Sequence, residues 1–261
     1  MTRVLSYEIT GPIDGPPLVL GSSLGSDRHM WDEILPALSN YRVLRYDFPG
    51  HGLSELLNVD GPATVDDLGE SILATATDAG FDRFHIAGLS LGGMMSLWMA
   101  INHPERIQSM TMMCSGPVIL PPSDWTAKAT NVRAHGTQSL VEATLKRWYT
   151  ERFLADNDYR VERTRTTFVA CQDEGYAQCC EVIASMDNRP GLQTISVPVR
   201  IIHAEYDQSL PPHDARELAE NIAAGPCPSV TTSFISDAAH MAAVEQPEQV
   251  ATALLSGLES V

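Results

Sequence analysis

The order of apolar patterns along the chain predicts an α/β fold with a mostly parallel central sheet, helices on both faces and an inserted helical cap. Three observations lead there. Short strand-like runs alternate with stretches of helical spacing, the alternation stops across residues 117–196 before resuming, and a glycine-bounded serine stands at one strand-to-helix junction. Strands separated by helices need crossover connections, which make neighbouring strands parallel and cover both faces of the sheet.

In chain order, strands are expected at 4–9, 17–20, 41–46, 84–88, 109–114, 197–203 and 230–235, and helices at 31–38, 65–79, 91–102, 213–224 and 241–258. The first strands are expected to form an antiparallel entry hairpin. Thr64 with Asp67 reads as a capping box opening the second helix, and Pro104 stops the helix that ends near His103, a residue suited to a helix C-terminus. Segments 1–116 and 197–261 then form one core, and 117–196 forms a cap whose helical patterns carry Trp125, Arg133, Trp148, Phe153, Phe168 and Tyr176. Such aromatics either line a pocket over the sheet edge or pack the cap onto the core.

Lys and Arg number 17 against 33 Asp and Glu, a formal charge of -16 over 261 residues. That field repels nucleic acid and anionic membranes, so neither is expected as a partner, and an anionic substrate would need a local basic group. Five cysteines without C-x-x-C spacing fit reduced thiols, with no disulfide framework and no metal site. The start, Met1 to Tyr7, lacks a signal-peptide core, and no apolar run reaches membrane-spanning length, so a cytosolic protein is expected. Oligomeric state is not legible.

Residues Gly88-Leu89-Ser90-Leu91-Gly92 follow the apolar run 84–87 and precede the helical pattern 91–102. A serine on a tight strand-to-helix turn projects its hydroxyl outward, and a Cβ two residues to either side would collide with the turn. Ser90 is therefore the candidate nucleophile; an ordinary glycine turn is the competing reading. A serine hydroxyl needs a base and an orienting acid. Asp207 lies just past the strand at 197–203, and His240 follows the strand at 230–235. Glu205 competes with Asp207, whereas Asp237 is too near His240 in sequence, and the position after Cys114 holds no carboxylate. His29, His51, His85, His135, His203 and His213 read as ordinary loop or surface residues. The order Ser90, Asp207, His240 is that of the α/β-hydrolases, and in that fold the oxyanion donors would be the backbone N–H groups of Leu91 and, in the loop 21–26, Leu24. Met241, beside His240, joins Trp125 and Trp148 as a substrate-contact candidate.

The run Gly21-Ser22-Ser23-Leu24-Gly25-Ser26-Asp27-Arg28-His29-Met30-Trp31-Asp32, then Arg42 to Asp47 with Gly50-His51-Gly52, resembles the 3-oxoadipate enol-lactonases of aromatic catabolism. In the cap, Val132-Arg133-Ala134, Arg147-Trp148-Tyr149-Thr150 and Gly175-Tyr176-Ala177 continue the likeness. The resemblance implies cofactor-free opening of a small enol-lactone to an oxo-dicarboxylic acid. Where such enzymes commonly read Asp-Thr-Arg-Gly-His-Gly, this chain has Asp47-Phe48-Pro49-Gly50-His51-Gly52, so an arginine is missing. Arg133 is left to grip a substrate carboxylate, or else to make a surface ion pair. The alternatives are a carboxylesterase or perhydrolase for neutral small esters, and a ligand sensor with slow turnover.

Overall fold

In a computed structural model of the protein, residues 3–119, 121–156 and 158–258 are described; Met1, Thr2, Leu120, Asn157 and the last three residues lie outside. Among the described residues, seven strands form one sheet in the order β1-β3-β2-β4-β5-β6-β7. They are β1 (Tyr7–Thr10), β2 (Pro17–Gly21), β3 (Arg42–Tyr46), β4 (Phe84–Leu89), β5 (Ile107–Met113), β6 (Val199–Ala204) and β7 (Val230–Ile235). All neighbours pair in parallel except β1, which runs antiparallel to β3 with Tyr7 opposite Tyr46.

The entry hairpin expected between the first two strands is therefore not formed. Leu18, Val19 and Leu20 are all fully buried, so β2 takes a place between β3 and β4, where both faces are covered. β1 carries half-exposed residues and stays at the edge.

The core helices are α1 (Val65–Asp78), α2 (Leu91–Asn102), α8 (Pro212–Ala223), α9 (Ala242–Glu245) and α10 (Pro247–Leu258). Thr64 and Asp67 make the reciprocal capping box at the start of α1. Two expected helices differ. Residues 31–38 form 3-10 turns at Arg28–Trp31 and Leu35–Leu38, since Pro36 has no N–H with which to continue an α-helical ladder. The last helix is split by Pro247 for the same reason.

Between β5 and β6 the chain is helical: α3 (Pro122–His135), α4 (Val141–Trp148), α5 (Glu151–Ala155), α6 (Tyr159–Ala170) and α7 (Asp173–Ser185). These helices meet the core over the carboxyl ends of the strands. There Gln172 N–H donates to the Gly50 carbonyl at 2.8 Å, and Gln178 exchanges two hydrogen bonds of 3.0 Å with the Leu57 backbone. The crevice at strand ends is where open α/β sheets bind ligands.

Candidate active site

Strand β4 ends in a turn that places Ser90 at φ 57° and ψ −117° just ahead of α2. A non-glycine residue held there costs roughly 1–3 kcal/mol, so its surroundings must enforce the conformation. They do so with hydrogen bonds and close packing. Ser90 N–H donates to the Met113 carbonyl at 2.9 Å, and the Ser115 hydroxyl donates to the Ser90 carbonyl at 2.7 Å. A Cβ at Gly88 would overlap the Gly92 backbone, and one at Gly92 would overlap the Gly21 carbonyl. Only glycine permits strand β2, the turn and the start of α2 to approach this closely.

Two strands away, Asp207 follows β6, and His240 lies in the segment after β7. His240 Nδ1 donates to Asp207 Oδ1 at 2.9 Å, and both side chains are almost fully buried. Asp207 also accepts the Ser209 and Leu210 N–H groups, each at 3.1 Å. Burial pushes the Asp207 carboxyl up, but the His240 hydrogen bond and charge, with those two N–H groups, outweigh it and hold the acid below its ordinary range. An ionised carboxylate on Nδ1 leaves Nε2 as the free face of the imidazole. Glu205 points elsewhere, accepting the Asp237 N–H at 3.0 Å.

Ser90 and His240 open into one cavity of about 350 Å³, walled by Ser23, Leu24, Trp125, Arg147, Trp148, Tyr176, Gln208 and Ser209 among others. This is ample for a small ring or short ester. The Trp148 ring stands 6.3 Å from the His240 ring, tilted by 30°. In the loop after β2, Ser23 N–H reaches Met30 Sδ at 3.3 Å and Gly25 N–H donates to His51 Nε2 at 2.8 Å. The N–H groups of Leu24 and Leu91 carry no hydrogen bond among the described residues, leaving both available to a developing oxyanion.

His51 differs from its reading as an ordinary loop residue. It is 1% exposed, donates from Nδ1 to the Pro49 carbonyl at 2.9 Å and stacks on Tyr176 with ring centroids 6.3 Å apart. Burial pushes its pKa down to about 4, against the smaller upward effects of the Pro49 hydrogen bond and the Asp47 charge. The imidazole is thus a neutral acceptor for Gly25. The position within Gly50-His51-Gly52 was the sequence signal for it.

Two expected contacts are not brought to the cavity. The Arg133 guanidinium is engaged by Glu174 at 2.6 and 2.8 Å and by Glu181 at 2.6 Å, joining α3 to α7 on the outside. Charge pairing across the helix interface, not ligand contact, fixes its direction. Met241 is fully buried in the core, and its N–H donates to the Trp148 carbonyl at 3.0 Å.

Sequence reasoning passed over a different cationic pair. Arg147 lines the cavity and makes no ion pair among the described residues. Lys128 lies 3.9 Å from the centroid of the Trp125 ring. Its pKa is lowered, first by burial and then by the Arg147 charge. Arg147 at the cavity wall and Lys128 on the Trp125 ring thus repel one another, and a bound anion would relieve that repulsion.

The fold and this glycine-bounded serine turn define the class. The model of the family described as alpha/beta hydrolase fold matches residues 16–135, and the chain belongs to the α/β-hydrolase family. Within that family it is similar to 3-oxoadipate enol-lactonase 1 of Acinetobacter baylyi, 33% identical over 95% of this chain and 90% of that one. It is 32% identical to 3-oxoadipate enol-lactonase 2 of the same organism, over 94% and 89%. The solved enol-lactonase from Burkholderia xenovorans LB400 superposes with a TM-score of 0.91 at 32% identity, covering 98% of this chain and 96% of that one.

Proposed function

We propose that the protein is a serine hydrolase that opens a small carboxylated lactone, of the 3-oxoadipate enol-lactone type, through an acyl-enzyme. The observation that carries this reading is that His240, paired with buried Asp207, opens into the same cavity as Ser90. Ser90 attacks the ring carbonyl as His240 takes its proton, and Asp207 holds the imidazole and stabilises its charged form. The N–H groups of Leu24 and Leu91 receive the oxyanion. His240 then returns the proton to the leaving oxygen, which stays tethered in a lactone, and a water deacylates Ser90 to give one ring-opened acid.

Arg147, with Lys128 behind Trp125, supplies the positive charge that the substrate carboxylate needs. The missing arginine at Pro49 is thereby replaced from the helical insertion. A second reading, a carboxylesterase or perhydrolase for neutral esters, is favoured by Pro49 alone. The test is turnover of 3-oxoadipate enol-lactone beside a neutral ester of similar size. A kcat/KM at least tenfold higher on the lactone supports the proposal, and equal or inverted values favour the neutral-ester enzyme.

A further inference from the structure

Glu245, the last residue of α9, is 6% exposed and takes part in no ion pair among the described residues. Burying a carboxylate is costly unless hydrogen bonds replace its water. Its Oε1 accepts the Thr150 N–H at 2.9 Å and the Thr150 hydroxyl at 2.8 Å, while Oε2 accepts the Ala239 N–H at 2.6 Å. Burial raises the carboxyl above its ordinary range, and these donors offset only part of that rise.

The donors come from two different parts of the chain. Ala239 immediately precedes His240, and Thr150 lies just past α4, two residues after Trp148. Met241, on the other side of His240, donates to the Trp148 carbonyl at 3.0 Å. Both backbone neighbours of His240 are therefore tied to the same short stretch of the insertion, one directly and one through Glu245. Thr150 is itself held, since its hydroxyl accepts the Phe153 N–H at 3.2 Å and caps α5. The Arg160 guanidinium adds a bond of 2.7 Å to the Val244 carbonyl from α6. Glu245, Thr150 and Ala239 also face an outer cavity of about 820 Å³ that shares Arg147 and Gln208 with the cavity containing Ser90.

We infer that Glu245 is a positioning residue that locks the His240 segment to the Trp148–Thr150 stretch of the insertion, so that the base and the wall facing it move as one unit. Its carboxylate touches no reacting atom. Two oxygens serving two segments hold both at fixed separation, and Asp207 fixes the far side of the imidazole. Without Glu245, His240 keeps its acid but loses the bond to the Ala239 N–H, leaving the Tyr206 N–H on the Ala238 carbonyl at 2.9 Å as the restraint before it. A displacement of about 1 Å in a reacting group can cost on the order of a hundredfold.

The inference rests on reading His240 as the base, and the experiment separates the two. Glu245→Ala, Glu245→Gln, Thr150→Val and the double variant Glu245→Ala/Thr150→Val are assayed with a neutral ester, and active sites are counted with a fluorophosphonate. Glu245→Ala is expected to lower kcat per titrated site roughly thirtyfold or more with KM within about threefold, since geometry at the reacting centre is lost while binding is retained. Glu245→Gln should fall between, because its NH2 group opposes one N–H donor. Thr150→Val should cost only a few-fold, and the double variant should be no worse than Glu245→Ala, the mark of one shared interaction. Unchanged kcat per titrated site, with only melting temperature lowered, overturns the inference. So do fully additive losses. Should Glu245→Ala fail to fold, Glu245→Gln decides: a fall of about threefold or more in kcat per titrated site at unchanged KM supports the inference, and an unchanged kcat overturns it. His240→Ala is the separate control: substantial activity there sinks the base assignment, whereas an inactive His240→Ala beside a normal Glu245→Gln sinks only the inference about Glu245.

Discussion

His51 Nε2 accepts the Gly25 N–H at 2.8 Å, so a buried imidazole on the loop after β3 holds the loop after β2 that carries Leu24. Only the neutral ring can do this. The folded pKa near 4 lies below the unfolded value of 6.5, so protons bind the unfolded chain first as pH falls. The contribution of His51 to stability is complete above pH 6.5, declines between 6.5 and about 4 and is flat below. The full span is worth about 3 kcal/mol at 1.36 kcal/mol per pH unit. Urea unfolding of the wild type and His51→Gln at pH 7 and pH 5 checks this: the variant should lose less stability between the two. An equal loss in both proteins would place the acid sensitivity elsewhere.

Ser90→Ala should abolish hydrolysis while leaving the fold intact, since the turn is set by Gly88, Gly92 and backbone bonds. The loss in kcat should be on the order of a millionfold, as for the nucleophile of a comparable serine hydrolase, and His240→Ala should match it with little further loss in the double variant. Single-turnover labelling with a fluorophosphonate, followed by peptide mapping, should place the adduct on Ser90. A label found on another residue rejects the assignment.

The acid is tested by comparing two neighbours. Asp207→Asn should reduce kcat by about ten-thousandfold through loss of the imidazole orientation. Glu205→Gln, whose carboxylate faces the Asp237 N–H, should stay within about threefold of wild type, the range of a surface change away from the chemistry. The reverse ranking would make Glu205 the orienting group.

Two arginines of the insertion should behave in opposite ways. Arg147→Ala should lower kcat/KM for a carboxylated lactone by about tenfold or more, the value of one charge-assisted contact, and spare a neutral ester. Arg133→Ala should leave that discrimination intact and cost about 1 kcal/mol or less, because the guanidinium and its Glu174 partner are solvent-exposed. Kinetics on both substrates with a thermal melt of each variant decides the point. Discrimination lost in Arg133→Ala but kept in Arg147→Ala would reverse the roles.

Local pattern was enough for the alternating strands and helices, for the strand–Ser90–helix turn and for the order of Asp207 and His240 behind it. Each of these depends on residues close in sequence: β-branched runs, glycines that a tight turn demands, and polar residues placed just past strand ends. Pro36 and Pro247 were equally local, yet the helices expected at 31–38 and 241–258 ran through both, and the missing N–H accounts for the breaks. Pairing was not local. Whether β1 joins β2 or β3 depends on which strand buries both faces. The direction of Arg133 was settled by Glu174 and Glu181, 41 and 48 residues away, while Arg147 of α4 came to line the cavity of Ser90 only through folding. The roles of His51 and Glu245 rest on Gly25, Thr150 and Ala239, brought near only by folding. A side chain's type is written in the sequence, but its partner is chosen by which distant segments are packed against it, and burial then decides how strongly the choice is enforced.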